Sequence, residues 1–167
     1  RSIWLPSILR LVRYSPAPMT NMVSPPFPPV CTPCRRGWTF FQDRCYFHSR
    51  ALGTWDAANR SCASLGALLL QVTSLAEQVR DDQAWGTSMK ASSSWMGLTD
   101  QAREGAWMWV DGTHSAANAR YWRPGEPNGG QKENCALARQ DGHWYDAPCM
   151  EQHHWVGKAG ILSCKKC

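Results

Sequence analysis

The chain's 167 residues fit one domain with an appendage, and the lack of any run of about 18 or more apolar residues excludes a transmembrane helix within it. Much of the net charge of +5 sits at the ends, at Arg1, Arg10, Arg13, Arg35, Arg36, Lys165 and Lys166, while the centre mixes Asp, Glu and Arg. The chain therefore lacks the basic stripe interleaved with aromatics that a nucleic-acid binder needs. Its eight cysteines favour disulfides and an oxidising compartment, although spacing alone does not fix which pairs form.

Residues 1–30 hold seven of the eleven prolines and end in Ser24-Pro25-Pro26-Phe27-Pro28-Pro29. Such a run favours extended polyproline conformation without a packed core. The segment reads as a disordered linker, a stalk or a foreign leader, and its apolar start is too short and broken for a signal peptide. From Cys31 the pattern changes, so a single domain is expected over 31–167. Trp38 to Phe41 and Cys45 to Phe47 flank Gln42-Asp43-Arg44 and suit a hairpin. Thr54 caps a helix near 55–65, with Trp55, Ala58, Cys62 and Leu65 at helical spacing and Gly66 as its stop. Ala67 to Val72 reads as a short apolar strand. Ser74-Leu75-Ala76-Glu77 is a capping box opening a second helix toward residue 85. Short strands follow at Trp95 to Leu98 and Trp107 to Val110. An irregular stretch runs from 112 to 134, a length that is usually functional or disordered. Strands then flank Cys135 to Leu137 and His143 to Tyr145, with a last one near Trp155 or Ile161. The pattern is α+β.

Within the irregular stretch, Glu126-Pro127-Asn128 sets two oxygen-bearing side chains on either side of a proline. Glu133-Asn134-Cys135, Trp144-Tyr145-Asp146 and Cys149 follow. Calcium takes about six to eight oxygen ligands, and a cis Glu126–Pro127 bond would turn both side chains to one side of the loop. Cys135 and Cys149 stand where they could clamp it.

These landmarks together resemble the C-type lectin-like domain over about residues 31–156. The resemblance rests on Gly37-Trp38, Cys45-Tyr46-Phe47, Trp55, Cys62, Gly66-Ala67-Leu68, Glu77 and Trp95-Met96-Gly97-Leu98-Thr99-Asp100. It continues through Glu104-Gly105, Trp107 to Gly112, Tyr121-Trp122, Gly125 to Asn128, Glu133-Asn134-Cys135, Trp144-Tyr145-Asp146 and Cys149. The opening Cys31-Thr32-Pro33-Cys34 with Trp38 to Phe41 looks most like the DC-SIGN and LSECtin group of type II receptors. The resemblance implies two helices, two small antiparallel sheets, a long calcium-binding loop and disulfide staples. It implies the pairs Cys34–Cys45 and Cys135–Cys149, and partners for Cys62 and Cys31 near the C-terminal end. At Gly157 the chain departs from the family, which has cysteine there. Two readings stay open: residues 157–163 are an insertion, so that Cys62 pairs with Cys164 and Cys31 with Cys167, or the tail from Gly157 is not lectin sequence.

The resemblance further implies a primary calcium site at Glu126, Asn128, Glu133 and Asp146. The same residues would bind a sugar of the mannose, fucose or N-acetylglucosamine type. Tyr145 stands where the family has asparagine, and a protonated phenol is a poor ligand. An auxiliary calcium site would draw on Asp100, Glu104 and Asn134. The implied protein is a receptor domain on the extracellular side of a type II membrane protein, or secreted, whose anchor is not in this chain. Its partners would be glycans on glycoproteins or microbial surfaces, and it could form a homo-oligomer through a neck outside the chain. Tyr145 supports a competing reading, a lectin-like receptor that has lost sugar and binds protein ligands. Gly157 and the first thirty residues support another, an aberrantly terminated, non-functional product. Asn59-Arg60-Ser61 is a glycosylation sequon. His143, His153 and His154 read as solvated, and the chain carries no catalytic motif, so it is not expected to be an enzyme.

Overall fold

The structure, a computed structural model, describes residues 32–79, 93–115 and 120–163. The proline-rich segment 1–30, the second helix beyond residue 79, and Cys31, Cys164 and Cys167 lie outside them.

The expected hairpin is present. Strand β1 (Thr39–Phe41) pairs antiparallel with β2 (Arg44–His48). The two turn residues, Gln42 and Asp43, have φ of 41° and 59°. That conformation gives a tight turn whose twist matches its strands. Helix α1 (Trp55–Ser64) starts where Thr54 Oγ1 accepts from the Ala57 amide at 3.3 Å. It buries Trp55, Ala58 and Cys62 and ends at Gly66, whose φ of 67° favours glycine.

Strand β3 is shorter than the run Ala67 to Val72 suggests. Only Leu68–Leu69 pairs with another strand. The chain then crosses between neighbours: the Leu70 amide donates to Val156 O, and the Gly97 amide donates to Leu70 O at 2.7 Å. A Cβ on Gly97 would lie 2.6 Å from Leu69 O, so only glycine allows this approach. Helix α2 (Leu75–Val79) begins with half a capping box, as the Glu77 amide donates to Ser74 Oγ at 3.2 Å. The Glu77 carboxylate has a different task. It accepts from Tyr46 Oη, from the Thr73 amide and hydroxyl, and from Lys158 Nζ.

The remaining strands are β4 (Ser94–Thr99), β5 (Met108–Trp109), β6 (Cys135–Ala138), β7 (Trp144–Ala147) and β8 (His154–Gly160). Two small antiparallel sheets were expected. They are joined into one path, β1-β2-β8-β4-β6-β7, with β3 on β8 and β5 on β4. The join is β8. Its later residues pair antiparallel with β2, and its first two pair parallel with β4 at Ser94↔His154 and Trp95↔Trp155. Strand β4 is buried along almost its whole length, which explains why it reads as an apolar run without alternation. Three core indoles find acceptors, Trp55 on Met96 O, Trp95 on Gly53 O and Trp144 on Gln78 Oε1, whereas the buried Trp155 indole N–H has none.

Disulfides join Cys34 to Cys45 and Cys135 to Cys149. Cys62 does not fit the expected pairing with Cys164. It is a free thiol with no solvent exposure. A Cβ built on Gly157 would lie 3.2 Å from its sulfur. Gly157 is an integral residue of β8, opposite Phe47 and Leu69. The position facing Cys62 is therefore filled by a residue without a thiol, and residues 157–160 continue the strand rather than form an insertion.

Candidate functional site

The long loop is pinned by aromatic contacts. Trp122 lies 4.8 Å from Trp107, Tyr121 lies 5.2 Å from Trp144, and a bridge pairs Trp122 with Trp144. Among the described residues of the loop, a 3-10 turn at Gly130–Lys132 interrupts the irregular backbone. The disulfide from Cys135, at the start of β6, to Cys149 beyond β7 closes its base. The Glu126–Pro127 bond is cis.

Asp146 organises the loop from β7. Its Oδ2 accepts from the amides of Asn128 and Gly129 at 2.9 and 2.7 Å. Its Oδ1 is buried and has no donor while Glu126 is ionised. The Glu126 carboxyl is within hydrogen-bonding range, but two carboxyl groups share such a bond only when one is protonated. That bond, then burial, then the charges of Asp146 and Glu133 push Glu126 up to about 7. Burial and the charge of Asp146 also raise Glu133. The Glu133 side chain folds into the space a Cβ on Gly129 would need, so glycine there keeps it against the loop.

The structure thus brings Glu126, Glu133 and Asp146 close enough to disturb one another, with Asn128 between them. Among the described residues, no three His, Cys, Asp or Glu side chains stand as a ready-made metal cluster. The donors nonetheless suit a hard cation. They are carboxylates and a side-chain amide, and one buried carboxylate oxygen has no donor while Glu126 is ionised. The expected auxiliary group is only partly assembled. Asp100 is buried, and its Oδ2 accepts from the Gly105 amide at 2.8 Å. Turned to satisfy its surroundings, the Asn134 amide donates to Asp100 Oδ1 at 3.2 Å and to Gly130 O at 3.3 Å. Both Asp100 oxygens therefore have protein donors. Burial raises Asp100 above the usual carboxylate range, and Glu104 is exposed, facing Gly130.

Tyr145, which stands where the family has asparagine, is turned to other partners. It is buried, donates its hydroxyl to Asp141 Oδ2 and accepts from Arg123 Nη1 at 2.7 Å. The Arg139 guanidinium sits 4.0 Å from its ring centroid. The sequence reading missed Arg123, Arg139 and Asp141. Arg139 was within reach of a register argument, because Leu137 pairs with Tyr145 and residue 139 lies diagonally on the same face. No sequence signal marked Arg123. His153 is likewise more engaged than a solvated histidine. It bonds Ser93 Oγ at 2.6 Å and Glu151 Oε2 at 2.8 Å and stands edge-on to Trp95. Asn59 of the sequon lies half-buried on α1.

This fold, with its cis-proline loop tied to an acidic strand, is that of a carbohydrate-recognition domain, and the Lectin C-type domain family matches residues 52–159, through Gly157. The chain belongs to that family, whose members are non-enzymatic carbohydrate-binding domains. It is 41% identical over 136 residues to mouse CD209 antigen-like protein C, covering 81% of this chain and 74% of that protein. It is 39% identical to mouse CD209 antigen-like protein A over the same share of this chain but only 56% of that protein. Among solved structures it resembles the cow carbohydrate-recognition domain of CD23 in the presence of a GlcNAc2Man3 oligosaccharide. That likeness has a TM-score of 0.66 and 33% identity, covering 80% of this chain and all of that one. It also resembles a calcium-independent type II antifreeze protein, with a TM-score of 0.68 and 30% identity over 77% of this chain and 95% of that one.

Proposed function

We propose that the domain binds glycans of the mannose, fucose or N-acetylglucosamine type through calcium, on the extracellular side of a type II receptor. The observation that carries this reading is Asp146. One of its oxygens fixes the Asn128 and Gly129 amides, and the other is buried with no donor while Glu126, whose carboxyl is raised to about 7, is ionised. Glu126, Asn128, Glu133 and Asp146 would hold calcium, and the bound ion would accept two vicinal hydroxyls of a sugar. Around it, the carboxylates accept hydrogen bonds from those hydroxyls, and the Asn128 amide donates one. The partners would be glycans on glycoproteins or microbial surfaces. The test is a mannose–agarose column run with calcium and with EDTA. Retention in calcium that EDTA abolishes supports the reading, and flow-through in both conditions sinks it.

The raised Glu126 adds a pH dependence. A pKa near 7 favours the protonated carboxyl in the calcium-free site, whereas a ligand must be deprotonated. Calcium affinity is thus expected to be full above neutrality and to fall roughly tenfold per pH unit as pH drops through 7. Calcium titrations at pH 6 and pH 8 measure this, and equal affinities would remove Glu126 from the ligand set.

A second reading has its own support. The Tyr145 hydroxyl is committed to Asp141 and Arg123, and one structural relative is calcium-independent. A domain that has given up calcium would bind protein ligands and would pass through the same column in both conditions.

A further inference from the structure

Two exposed arginines, Arg123 and Arg139, border the loop without a close ion pair among the described residues. Arg123 donates one N–H to Tyr145 Oη at 2.7 Å, and its guanidinium carbon lies 5.5 Å from that ring. Arg139 lies 4.0 Å from the same ring centroid. Among the described residues, the close ion pairs are His143–Asp141, His153–Glu151 and Lys158–Glu77, and neither arginine takes part in one. Asp141 accepts the phenolic hydrogen bond and is held below its usual range; burial pushes it up, but bonds from Tyr145 and His143 and the charges of His143 and Arg123 outweigh that. The arginines therefore stand against an aromatic ring, with Asp141, Glu126 and Glu133 near enough to act on their charge but in no close ion pair with them. A guanidinium has five N–H donors, and Arg123 gives one to the tyrosine.

The arginines also belong to the loop's neighbourhood. The charge of Arg139 is felt at both Glu126 and Glu133, and that of Glu126 at Arg123. Once calcium offsets the loop carboxylates, Arg123 and Arg139 outnumber the one remaining neighbouring acid, Asp141, which is already bonded to Tyr145. A guanidinium is suited to bidentate bonds with a planar carboxylate or a tetrahedral oxyanion.

We propose that Arg123 and Arg139 form an anion-recognising rim, supported on Tyr145, that takes a sulfate ester or carboxylate carried by the glycan. The inference rests on the calcium-loop reading for the sugar's position. It gives Tyr145 a purpose as the platform that presents two cations where the family has an amide. The shared ligand chemistry is an anionic sugar, which a sulfated hexose or a uronic acid would both supply.

Biolayer interferometry on the full chain tests this, using multivalent N-acetylglucosamine, N-acetylglucosamine-6-sulfate, glucose and glucuronic acid at equal density. Each is measured in calcium and in EDTA. Wild type in calcium is expected to bind at least one anionic sugar about tenfold more tightly than its neutral counterpart, a gain that shrinks in high salt. The sulfated and carboxylated arms identify the source of the anion. Arg139→Gln and Arg123→Gln should lose the gain while keeping neutral binding, and Arg139→Lys should keep part of it. Because Arg123 also bonds Tyr145, Arg139→Gln is the deciding variant. The proposal is overturned if anionic and neutral sugars bind alike, or if Arg139→Gln weakens both equally, which would make the arginine only a counter-ion of the loop. Neutral binding that EDTA abolishes, without an anionic gain, sinks this proposal and leaves the calcium reading standing. Anionic binding that survives EDTA and is lost in Arg139→Gln, without neutral binding, sinks the calcium reading and leaves the arginine rim standing without the sugar placement taken from it. No binding to any probe overturns both.

Discussion

Gly157→Cys is expected to form a disulfide with Cys62 and raise the thermal midpoint by roughly 10–20 °C. A Cβ at residue 157 lies 3.2 Å from the Cys62 sulfur. Within a disulfide the corresponding separation is about 3 Å, given an S–S bond of about 2.05 Å. The backbone at residue 157 is ordinary strand, with no positive φ to oppose a side chain. The new bond would close a loop of roughly 95 residues, for which chain entropy predicts somewhat over 4 kcal/mol. Gly157→Ala is the control. It brings the same crowding against sulfur without the bond, and it should be neutral or mildly destabilising. Peptide mapping and melting curves with and without reductant decide the outcome. An unbridged thiol at position 157 in the Gly157→Cys variant, with an unchanged midpoint, would show that the two positions are not true neighbours. In the wild type, burial pushes the Cys62 thiol up to about 12. It should resist alkylation until the domain unfolds, because the thiolate is the reactive form.

The second large effect is expected at Lys158. Its ammonium pairs with the buried Glu77 and donates to Gln71 O at 3.1 Å and Thr73 Oγ1 at 3.3 Å. Lys158→Ala leaves Glu77 buried without its cation, which costs about 3–5 kcal/mol. Replacing both residues, as Glu77→Leu with Lys158→Met, should cost far less, because no lone charge remains. The pair also sets acid sensitivity. Burial would raise Glu77, but hydrogen bonds from Lys158, Tyr46 and Thr73 outweigh it and hold the group below its ordinary 4.5. The unfolded chain therefore takes up the proton first. The stabilisation is fully present above about pH 4.5 and is lost as pH falls through the lower folded value. Urea melts between pH 3 and pH 7 should show this loss in wild type and not in the double variant. A Lys158→Ala protein within 1 kcal/mol of wild type would refute the buried-pair account.

The sequence was most legible where one residue type settles a local geometry. Thr54 and Gly66 bound α1, Gln42-Asp43 turns the hairpin, and Pro127 forms the cis bond. Each is decided within a few residues of chain. That Glu126, Glu133 and Asp146 lie close together was also legible, through the family resemblance that groups them. The seam between β4 and β8 was not, since a parallel pair two residues long leaves no periodic trace. The platform beneath Arg139 depends on how β6 and β7 align, and on an arginine more than twenty positions before the tyrosine it reaches. Glu77 was read as a helix cap because that is its local role, and its larger role comes from Tyr46 and Lys158, distant in the chain. Cys62 was misjudged because cysteine counting rewards an even total, whereas its true neighbour, Gly157, contributes no sulfur.

The short parallel join of β4 to β8 has a mechanical consequence. Suppose tension enters through the β1–β2 hairpin and is resisted by a ligand held at the Glu126–Glu133 loop. The load then runs from β2 into β8, across to β4, and on through β6 to β7. The β2–β8 step shares it over five residue pairs, Arg44↔Gly160 to His48↔Val156, whereas the β4–β8 step has only two. Beside this seam the Leu70 backbone links the two strands through Val156 O and the Gly97 amide, and the Trp55 and Trp95 indoles tie the α1 side to β4. Under pulling, the domain should part first along that line, with the loop and its β6–β7 support coming away as one piece.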